Sequence, residues 1–161
     1  MDLVIANDDP NADDVRALLE RHLAFAREVT PPEGVHALGV DGLADPSVTF
    51  FSARARRDDR LLGIGALKQL DDAHAELKSF HTAEAARGQG VGRALVEHLL
   101  SVARERGYRR VSLETGVMEA FAPARALYAR VGFTPCPPFG DYVDSATSAC
   151  MTIVIGPPPQ R

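Results

Sequence analysis

The amino-acid sequence predicts an α/β fold, in which a mixed and mostly antiparallel central sheet is flanked by helices. Three β-rich segments joined by short polar turns predict an antiparallel meander in the middle of the chain. A long amphipathic helix then leads from the last of these strands to another strand, and such a crossover indicates a parallel pair. The full predicted order is β-α-β-β-β-α-β-α-β.

The chain begins with a predicted strand at Leu3–Ala6 and a helix that follows the polar turn Asn7–Asp14, where Asn11 is the expected N-cap. One face of this helix is apolar at helical spacing: Val15, Leu18, Leu19, His22, Leu23, Ala26 and Val29. We interpret His22 as a core or rim histidine. The next 17 residues, Thr30–Pro46, predict a loop with one short helical turn, and their length favours a binding-site loop.

The later elements are predicted from β-rich runs, helical periodicity and glycine stops. The meander strands are Val48–Ala55, Leu61–Leu70 and Ala75–Thr82, and polar turns separate them. Gly107 is the expected C′ residue that ends the long helix. The remaining elements are a strand at Arg110–Thr115, a helix at Ala122–Val131 and a strand at Ser148–Ile155.

Composition limits the classes of function. A chain of 161 residues with 45% apolar and 25% charged residues predicts one globular domain, which we place at residues 1–156 before a Pro-rich tail at 157–161. The net charge of −4 and the lack of a Lys/Arg-rich run argue against nucleic acid as a partner. No apolar run suits a signal peptide or a membrane span, so we expect no membrane partner and a cytoplasmic location.

The cysteines and histidines do not predict a metal site. Cys136 and Cys150 lack the spacing of a metal-binding pair, and we expect both to be reduced thiols. The five histidines are scattered and form no HExxH motif, so no metal is expected.

A glycine-rich segment, Arg87–Gly92, directly precedes the long helix. Glycine destabilises regular structure unless the backbone needs a positive φ or lies close to a ligand. A glycine loop that opens a helix presents free N–H groups and the positive end of the helix dipole, which favour phosphate. A P-loop would need GxxxxGK[ST] and a Rossmann loop GxGxxG after a first strand, and neither pattern fits. Arg87 and Arg93 flank the loop with positive charge.

This Arg-x-x-Gly-x-Gly segment resembles the acetyl-CoA loop, [Q/R]-x-x-G-x-[G/A], of the GNAT superfamily of N-acetyltransferases. Arg87, Gly90 and Gly92 occupy its three signature positions. The order of predicted elements is also similar to the GNAT core over about Leu3–Ile155. The resemblance implies transfer of acetyl from acetyl-CoA to a primary amine of a small molecule or amino acid, by direct attack in a ternary complex.

Other functions remain open at this point. One is acetylation of a protein N-terminus or lysine, and another is a non-catalytic module that binds acyl-CoA. A homodimer is a further expectation, because dimers are frequent in the superfamily. The resemblance implies cofactor contacts at Phe80, His81 and Thr82 through backbone groups, and at Arg87, Gly88, Gln89, Gly90, Val91, Gly92, Arg93, Phe121, Ala124 and Tyr128.

A second segment resembles the GNAT pattern N-x-x-A-x-x-L-Y-x-x-x-G-F. It matches at Ala124, Leu127, Tyr128, Gly132 and Phe133. The tyrosine of this pattern commonly lies near the coenzyme sulfur and acts as a general acid, so Tyr128 takes that role by position. The alternative is a core tyrosine with its hydroxyl at the rim. Phe121 stands where the pattern has Asn, so the hydrogen bond of that Asn to the cofactor is lost.

Glu76 is the candidate general base. An alkylammonium group has a pKa of ~10 and must lose a proton before attack. Glu76 lies eleven residues before Arg87, and some GNAT enzymes have a catalytic glutamate at this offset. The alternative is a structural ion pair with Lys78, which lies on the same strand face. Glu114, His81 or water remain alternatives for the base.

The loop Pro135–Tyr142, PCPPFGDY, is rich in proline, glycine and aromatic residues. It resembles a bacterial GNAT subgroup with C-x-P-F-x-x-Y near the C-terminus. Asp141 and Tyr142 are candidates to meet the amine, whereas Cys136 is interpreted as a packing residue.

Overall fold

The computed structural model describes residues 2–32 and 39–156. The predicted tail at 157–161 and part of the predicted loop at 30–46 lie outside these residues. No helix in the described ranges is long and apolar enough to cross a membrane.

In the described part of the chain, seven strands form one sheet. They are β1 Leu3–Asn7, β2 Val48–Ala55, β3 Leu61–Gln69, β4 His74–Thr82, β5 Arg110–Gly116, β6 Thr134–Cys136 and β7 Ser148–Val154. Their order across the sheet is β1-β2-β3-β4-β5-β7-β6. Only β4 and β5 are parallel, and every other neighbouring pair is antiparallel. The predicted mixed, mostly antiparallel sheet is confirmed.

Helices cover both faces of the sheet. They are α1 Asp13–Val29, α2 Val40–Leu43, α3 Val91–Glu105 and α4 Ala122–Val131. Successive strand residues point to opposite faces, so Phe50 packs with Leu19 of α1 in one apolar cluster. The next residue, Phe51, packs in another with Leu95 of α3 and Tyr128 of α4. The fold therefore has one core on each side of the sheet.

Two details differ from the sequence prediction. The expected N-cap at Asn11 is wrong, because α1 begins at Asp13 with Ala12 at the N-cap and no side-chain cap. Acidic residues in the first turn favour the helix dipole there instead. The short edge strand β6 overlaps the start of the predicted loop. The sequence did not predict this strand because its central Pro135 cannot donate a ladder hydrogen bond and is unusual in strands.

The predicted end of the long helix is confirmed. Gly107 has a φ of +85°, and its N–H donates to the Arg104 carbonyl while the Tyr108 N–H donates to the Ala103 carbonyl. These two bonds form the Schellman motif, which uses glycine because the left-handed conformation strains other residues.

Arg54 of β2 connects the start of α1 to the sheet through two ion pairs. Its Nε lies 2.9 Å from Asp8 Oδ2, and its Nη1 lies 2.6 Å from Asp14 Oδ2. Burial tends to raise the pKa of Asp8, but hydrogen bonds from Ser52, the Asp9 backbone and Arg54 outweigh it and hold that pKa below its ordinary value. The hydrogen bond from Arg54 likewise lowers the pKa of Asp14. Both carboxylates are therefore ionised at neutral pH.

Arg54→Met is expected to lower the free energy of unfolding at pH 7 by about 1–3 kcal/mol, the contribution typical of hydrogen bonds to charged groups. The pKa values of Asp8 and Asp14 are depressed on folding, so their contribution is present above the ordinary value of 3.8 and is lost as the pH falls through the folded-state values. In urea unfolding, the difference between wild type and variant should shrink below pH 4. A difference that is independent of pH would contradict this account.

Arg56→Met is the matched control for that measurement. Arg56 pairs with Asp2 at 2.9 Å, but the two side chains are 62% and 74% exposed. Exposed ion pairs contribute little, so this variant should unfold close to wild type at every pH.

Candidate active site

The two parallel strands separate at the centre of the sheet. Pairing joins His74–Leu77 of β4 to Arg110–Leu113 of β5, and no further pairing between these strands is found in the described residues. Further along β4, Ser79 and Phe80 together face Gly65 of β3, where the register shifts. Ser79 has a φ of +59°. This β-bulge bends β4 locally, and a cleft lies where the two strands are no longer paired.

The predicted backbone contacts lie in the last part of β4, beyond the bulge. His81 and Thr82 pair with β3 on one side and with no strand of the described residues on the side toward β5. The Phe80 ring packs over Gly65, where a Cβ would lie 2.8 Å from the ring. Unpaired backbone N–H and C=O groups need partners, so this edge is suited to binding an amide-containing ligand.

A cavity of about 120 Å³ lies beside the separated strands. Its walls come from β4, β5, α1, α4 and the loop before β7, and they include Glu76, Lys78, Glu114, Tyr128 and Tyr142. The cavity therefore brings together the predicted acid, the predicted base and the reserve base. The sequence placed these residues on separate elements, and only the fold shows that they share one space.

Glu76 belongs to a buried group of three polar side chains. Its residue exposure is 3%, and a carboxylate buried to this extent needs hydrogen-bond partners. Lys78 Nζ lies 3.3 Å from Glu76 Oε2, so the alternative ion pair exists. Lys78 also donates to the Tyr142 hydroxyl at 2.8 Å, and that hydroxyl donates to Glu76 Oε2 at 2.6 Å.

Tyr142 therefore reaches the candidate base, whereas the sequence predicted only that it meets the amine, which stays a prediction. Burial raises the pKa of Tyr142 well above its ordinary range, and the Glu76 carboxylate adds to that effect. The phenol stays protonated at neutral pH and acts as a hydrogen-bond donor. Asp141, the other candidate in the loop, is exposed and does not line the cavity.

Tyr128 lies on α4 with its side chain turned into the fold. It is 9% exposed, and its ring packs edge-on against Phe133 with centroids 5.9 Å apart. Burial raises the pKa of Tyr128 to about 12. None of the hydrogen bonds among the described residues involves its hydroxyl. The hydroxyl is therefore protonated at neutral pH and is a candidate donor to a group in the cavity.

Two histidines meet between α1 and β4. His22 Nδ1 lies 3.2 Å from His81 Nδ1, and His22 lines the cavity. Burial lowers the pKa of each imidazole to about 4. His81 lowers the pKa of His22 further, and the positive charges of Arg87 and Arg21 lower the pKa of His81 further. Both rings are neutral at pH 7, so one nitrogen donates and the other accepts. Such a low pKa makes His81 a weak proton acceptor.

The glycine loop has the geometry of an anion site. Gly88 and Gly90 have φ values of +77° and +86°, and a Cβ at either would meet no atom within 4 Å. Gly90 is the N-cap of α3, and no side chain caps that end. The first N–H groups of this 15-residue helix therefore have no capping side chain, and a helix N-terminus of this kind suits a phosphate.

The remaining loop residues have varied surroundings. A Cβ on Gly92 would lie 3.2 Å from Leu127 Cδ2 of α4, so this glycine permits close helix packing. Val91 is 1% exposed and belongs to the core. Arg93 donates from Nε to Glu97 at 2.9 Å, and Gln89 Nε2 donates to the Ala85 carbonyl, just before the loop, at 3.3 Å.

Phe121 closes the cavity with an apolar wall. Its ring lies directly over Gly116 of β5, where a Cβ would clash with it. The Phe25 ring of α1 packs edge-on against it with centroids 5.3 Å apart. Arg125 Nη1 donates to the Gly116 carbonyl at 2.7 Å and fixes the turn between β5 and α4. Ala124 follows on α4 and also lines the cavity.

The two cysteines face each other across β6 and β7, where they are register partners. Both are free thiols. Burial raises the pKa of Cys136. It also raises the pKa of Cys150 to about 11, and Cys136 and Glu114 add to that increase. Protonated thiols are poor nucleophiles, which agrees with a packing role.

Ser79 is a cavity residue that the sequence did not single out. It is 8% exposed, and its Oγ has no hydrogen-bond partner within the described part of the chain. A buried hydroxyl without a partner is uncommon, and this one can donate to a group in the cavity. Only its position on the bulge brings it to the cavity, and the sequence carries no signal for that bulge.

Within residues 2–32 and 39–156, no cluster of His, Cys, Asp and Glu is suited to a metal ion.

Comparisons with known proteins point to one family. The model of the acetyltransferase (GNAT) family matches residues 15–133. The chain is 43% identical over 145 residues to the uncharacterized N-acetyltransferase YsnE of Bacillus subtilis, covering 90% of this chain and 95% of that protein. It is 44% identical over 138 residues to the uncharacterized N-acetyltransferase YedL of Escherichia coli, covering 86% of each.

The fold is also similar to that of solved structures. A GNAT family acetyltransferase from Elizabethkingia anophelis with acetyl-CoA bound superposes with a TM-score of 0.70, covering 96% of this chain and 99% of that chain. The two sequences are 17% identical, so this likeness concerns the fold alone.

Proposed function

Because the chain belongs to the acetyltransferase (GNAT) family, we propose that this N-acyltransferase moves acetyl from acetyl-CoA to a primary amine of a small molecule or amino acid, by direct attack in a ternary complex. The observation that carries the proposal is the common cavity of Glu76 and Tyr128. A cavity of about 120 Å³ suits a small acceptor better than a folded polypeptide.

Several features of the chain fit acetyl-CoA. The uncapped N-terminus of α3, with open space at Gly88 and Gly90, suits the pyrophosphate. Arg87 adds positive charge beside the loop, and in this proposal Arg93 turns from Glu97 to do the same. The unpaired edge of β4 at Phe80–Thr82 suits the amide groups of the pantetheine arm. The unpartnered Ser79 hydroxyl gives a further polar contact next to the bulge.

Acetyl-CoA supplies the acetyl group as a thioester, and transfer forms a C–N bond to the amine while the C–S bond breaks. The acceptor arrives as an ammonium with a pKa of ~10, so it must lose one proton before attack and a second as the amide forms. Glu76 is proposed to take the first proton, directly or through water. Tyr128, whose pKa of about 12 keeps it protonated, is proposed to give its proton to the departing sulfur, and the second proton from the nitrogen restores the phenol. Glu114, His81 and water remain the alternatives for the base.

The proposal is tested with acetyl-CoA labelled in the acetyl group and a panel of small primary amines. We expect equal amounts of free thiol and N-acetyl product, measured with a thiol reagent and by mass spectrometry. Saturable binding of acetyl-CoA without product from small amines or peptides would favour the non-catalytic binding module. Product from peptides alone would favour the protein-acetylating alternative.

A further inference from the structure

We propose that the acceptor amine also carries a carboxylate, as an amino acid does, and that Lys78 binds this carboxylate and so determines specificity. This inference rests on the proposed amine acetylation and names the acceptor class for the same cavity.

The first support is the position of Lys78. Its side chain is 9% exposed and lines the cavity, although a buried ammonium is unfavourable unless it is well paired. The pairs found in the described residues are with Glu76 at 3.3 Å and Tyr142 at 2.8 Å. An ammonium has three N–H donors, so one remains for a ligand in the cavity.

The arrangement around Glu76 leaves a matching acceptor. The hydrogen bonds from Lys78 and Tyr142 both reach Oε2 of Glu76. Oε1 has no hydrogen-bond partner in residues 2–32 and 39–156. The cavity therefore presents one free ammonium donor beside one free carboxylate oxygen, which complements the carboxylate and amine of an amino acid.

The charges of the cavity agree with that class. Among the described residues that line the cavity, the acidic and basic side chains are Glu76, Glu114 and Lys78, together with His22, which is neutral because burial lowers its pKa to about 4. Acidic and basic groups therefore both face an acceptor that brings one charge of each sign. A diamine would place its second cation near Lys78, where partial exclusion of water strengthens the repulsion. A carboxamide would lose the ionic contact with Lys78.

A purely structural role for Lys78 makes a different prediction. If Lys78 only neutralises Glu76, its replacement changes the base equally for every acceptor. The ratio of kcat/KM between an amino acid and its carboxamide would then be the same in wild type and variant. The acid-to-carboxamide ratio therefore distinguishes binding of the acceptor carboxylate by Lys78 from a structural effect of Lys78 on Glu76. Differences in pKa between the acceptor amines affect this ratio equally in wild type and variant, so they cancel in the comparison.

The test uses glycine, β-alanine and 4-aminobutyrate, their carboxamides and 1,4-diaminobutane as acceptors. We expect wild type to favour at least one acid over its carboxamide by about tenfold or more in kcat/KM, since hydrogen bonds between charged groups are worth that factor. Diaminobutane should be the poorest acceptor. Lys78→Met should bring the acid-to-amide ratio close to one. Lys68→Met, which changes the only other lysine of the chain on the neighbouring strand, should keep the wild-type ratio.

Other outcomes overturn the inference. If wild type acetylates acids, carboxamides and diaminobutane at equal rates, the inference about Lys78 is wrong, although the proposed amine acetylation still holds. This comparison needs no variant. An acid-to-amide ratio unchanged in a folded Lys78→Met protein would also do so. If acetyl-CoA binds but no acceptor of this test and no amine of the panel that tests the proposed function is acetylated, the proposed amine acetylation is wrong and the inference about Lys78 is wrong with it.

Discussion

Replacing Tyr128 with Phe is expected to lower kcat by about 10²–10⁴-fold, the usual contribution of a general acid. The change keeps the ring that packs against Phe133 at 5.9 Å and removes only the hydroxyl. Affinity for acetyl-CoA should therefore be nearly unchanged, because the proposed role concerns the departing sulfur and not binding. Single-turnover rates with the preferred amine, together with calorimetric affinities, separate the two effects.

Tyr108→Phe is the matched control for this prediction. Tyr108 is also buried, at 7% exposure, and it does not line the cavity, so its kcat should match wild type. An unchanged kcat in Tyr128→Phe would contradict the acid role. Loss of activity in wild type between pH 8 and 9 that Tyr128→Phe no longer shows would instead contradict the raised pKa, because a group with a pKa of about 12 stays protonated in that range.

Much of the fold could be predicted because its signals are local. The helix at Ala122–Val131 was predicted with the bounds that the structure shows. Gly107 ends α3 as predicted, because only a residue that tolerates a positive φ suits that position. The parallel pairing of β4 and β5 followed from the helix between them.

The site could be predicted only in part, because its geometry depends on contacts between distant segments. The Tyr142 hydroxyl meets Glu76 across 66 residues of sequence, and His22 meets His81 across 59. Helical spacing placed His22 on an apolar face, but nothing local shows that a second histidine lies opposite. The bulge at Ser79 has no sequence signal either, since serine is not a residue that favours a positive φ.

Gly90→Glu is expected to weaken acetyl-CoA binding by about 100-fold or more. The new carboxylate would stand at the N-terminus of α3, where the pyrophosphate is proposed to bind, and juxtaposed like charges cost several kcal/mol. The substitution also strains the backbone, since the φ of +86° disfavours any residue but glycine by about 1–2 kcal/mol. The loss of binding must therefore be separated from a loss of stability.

Gly107→Glu provides that separation. Gly107 has a φ of +85°, and a Cβ there also meets no atom within 4 Å. It lies at the opposite end of the same helix, so it shares the backbone cost and the added charge without approaching the proposed pyrophosphate site. This variant should melt at or somewhat below the temperature of Gly90→Glu, because a carboxylate is favourable at a helix N-terminus and unfavourable at a C-terminus, and it should bind acetyl-CoA as wild type does.

Isothermal titration calorimetry with acetyl-CoA on wild type, Gly90→Glu and Gly107→Glu tests most directly whether the glycine loop binds the cofactor. We predict micromolar binding to wild type and to Gly107→Glu, and no measurable binding to Gly90→Glu. Wild type that shows neither heat nor a thermal shift would contradict the account, because the loop would then be only a turn. Equal binding by all three proteins would place acetyl-CoA elsewhere and would contradict the assignment of the loop.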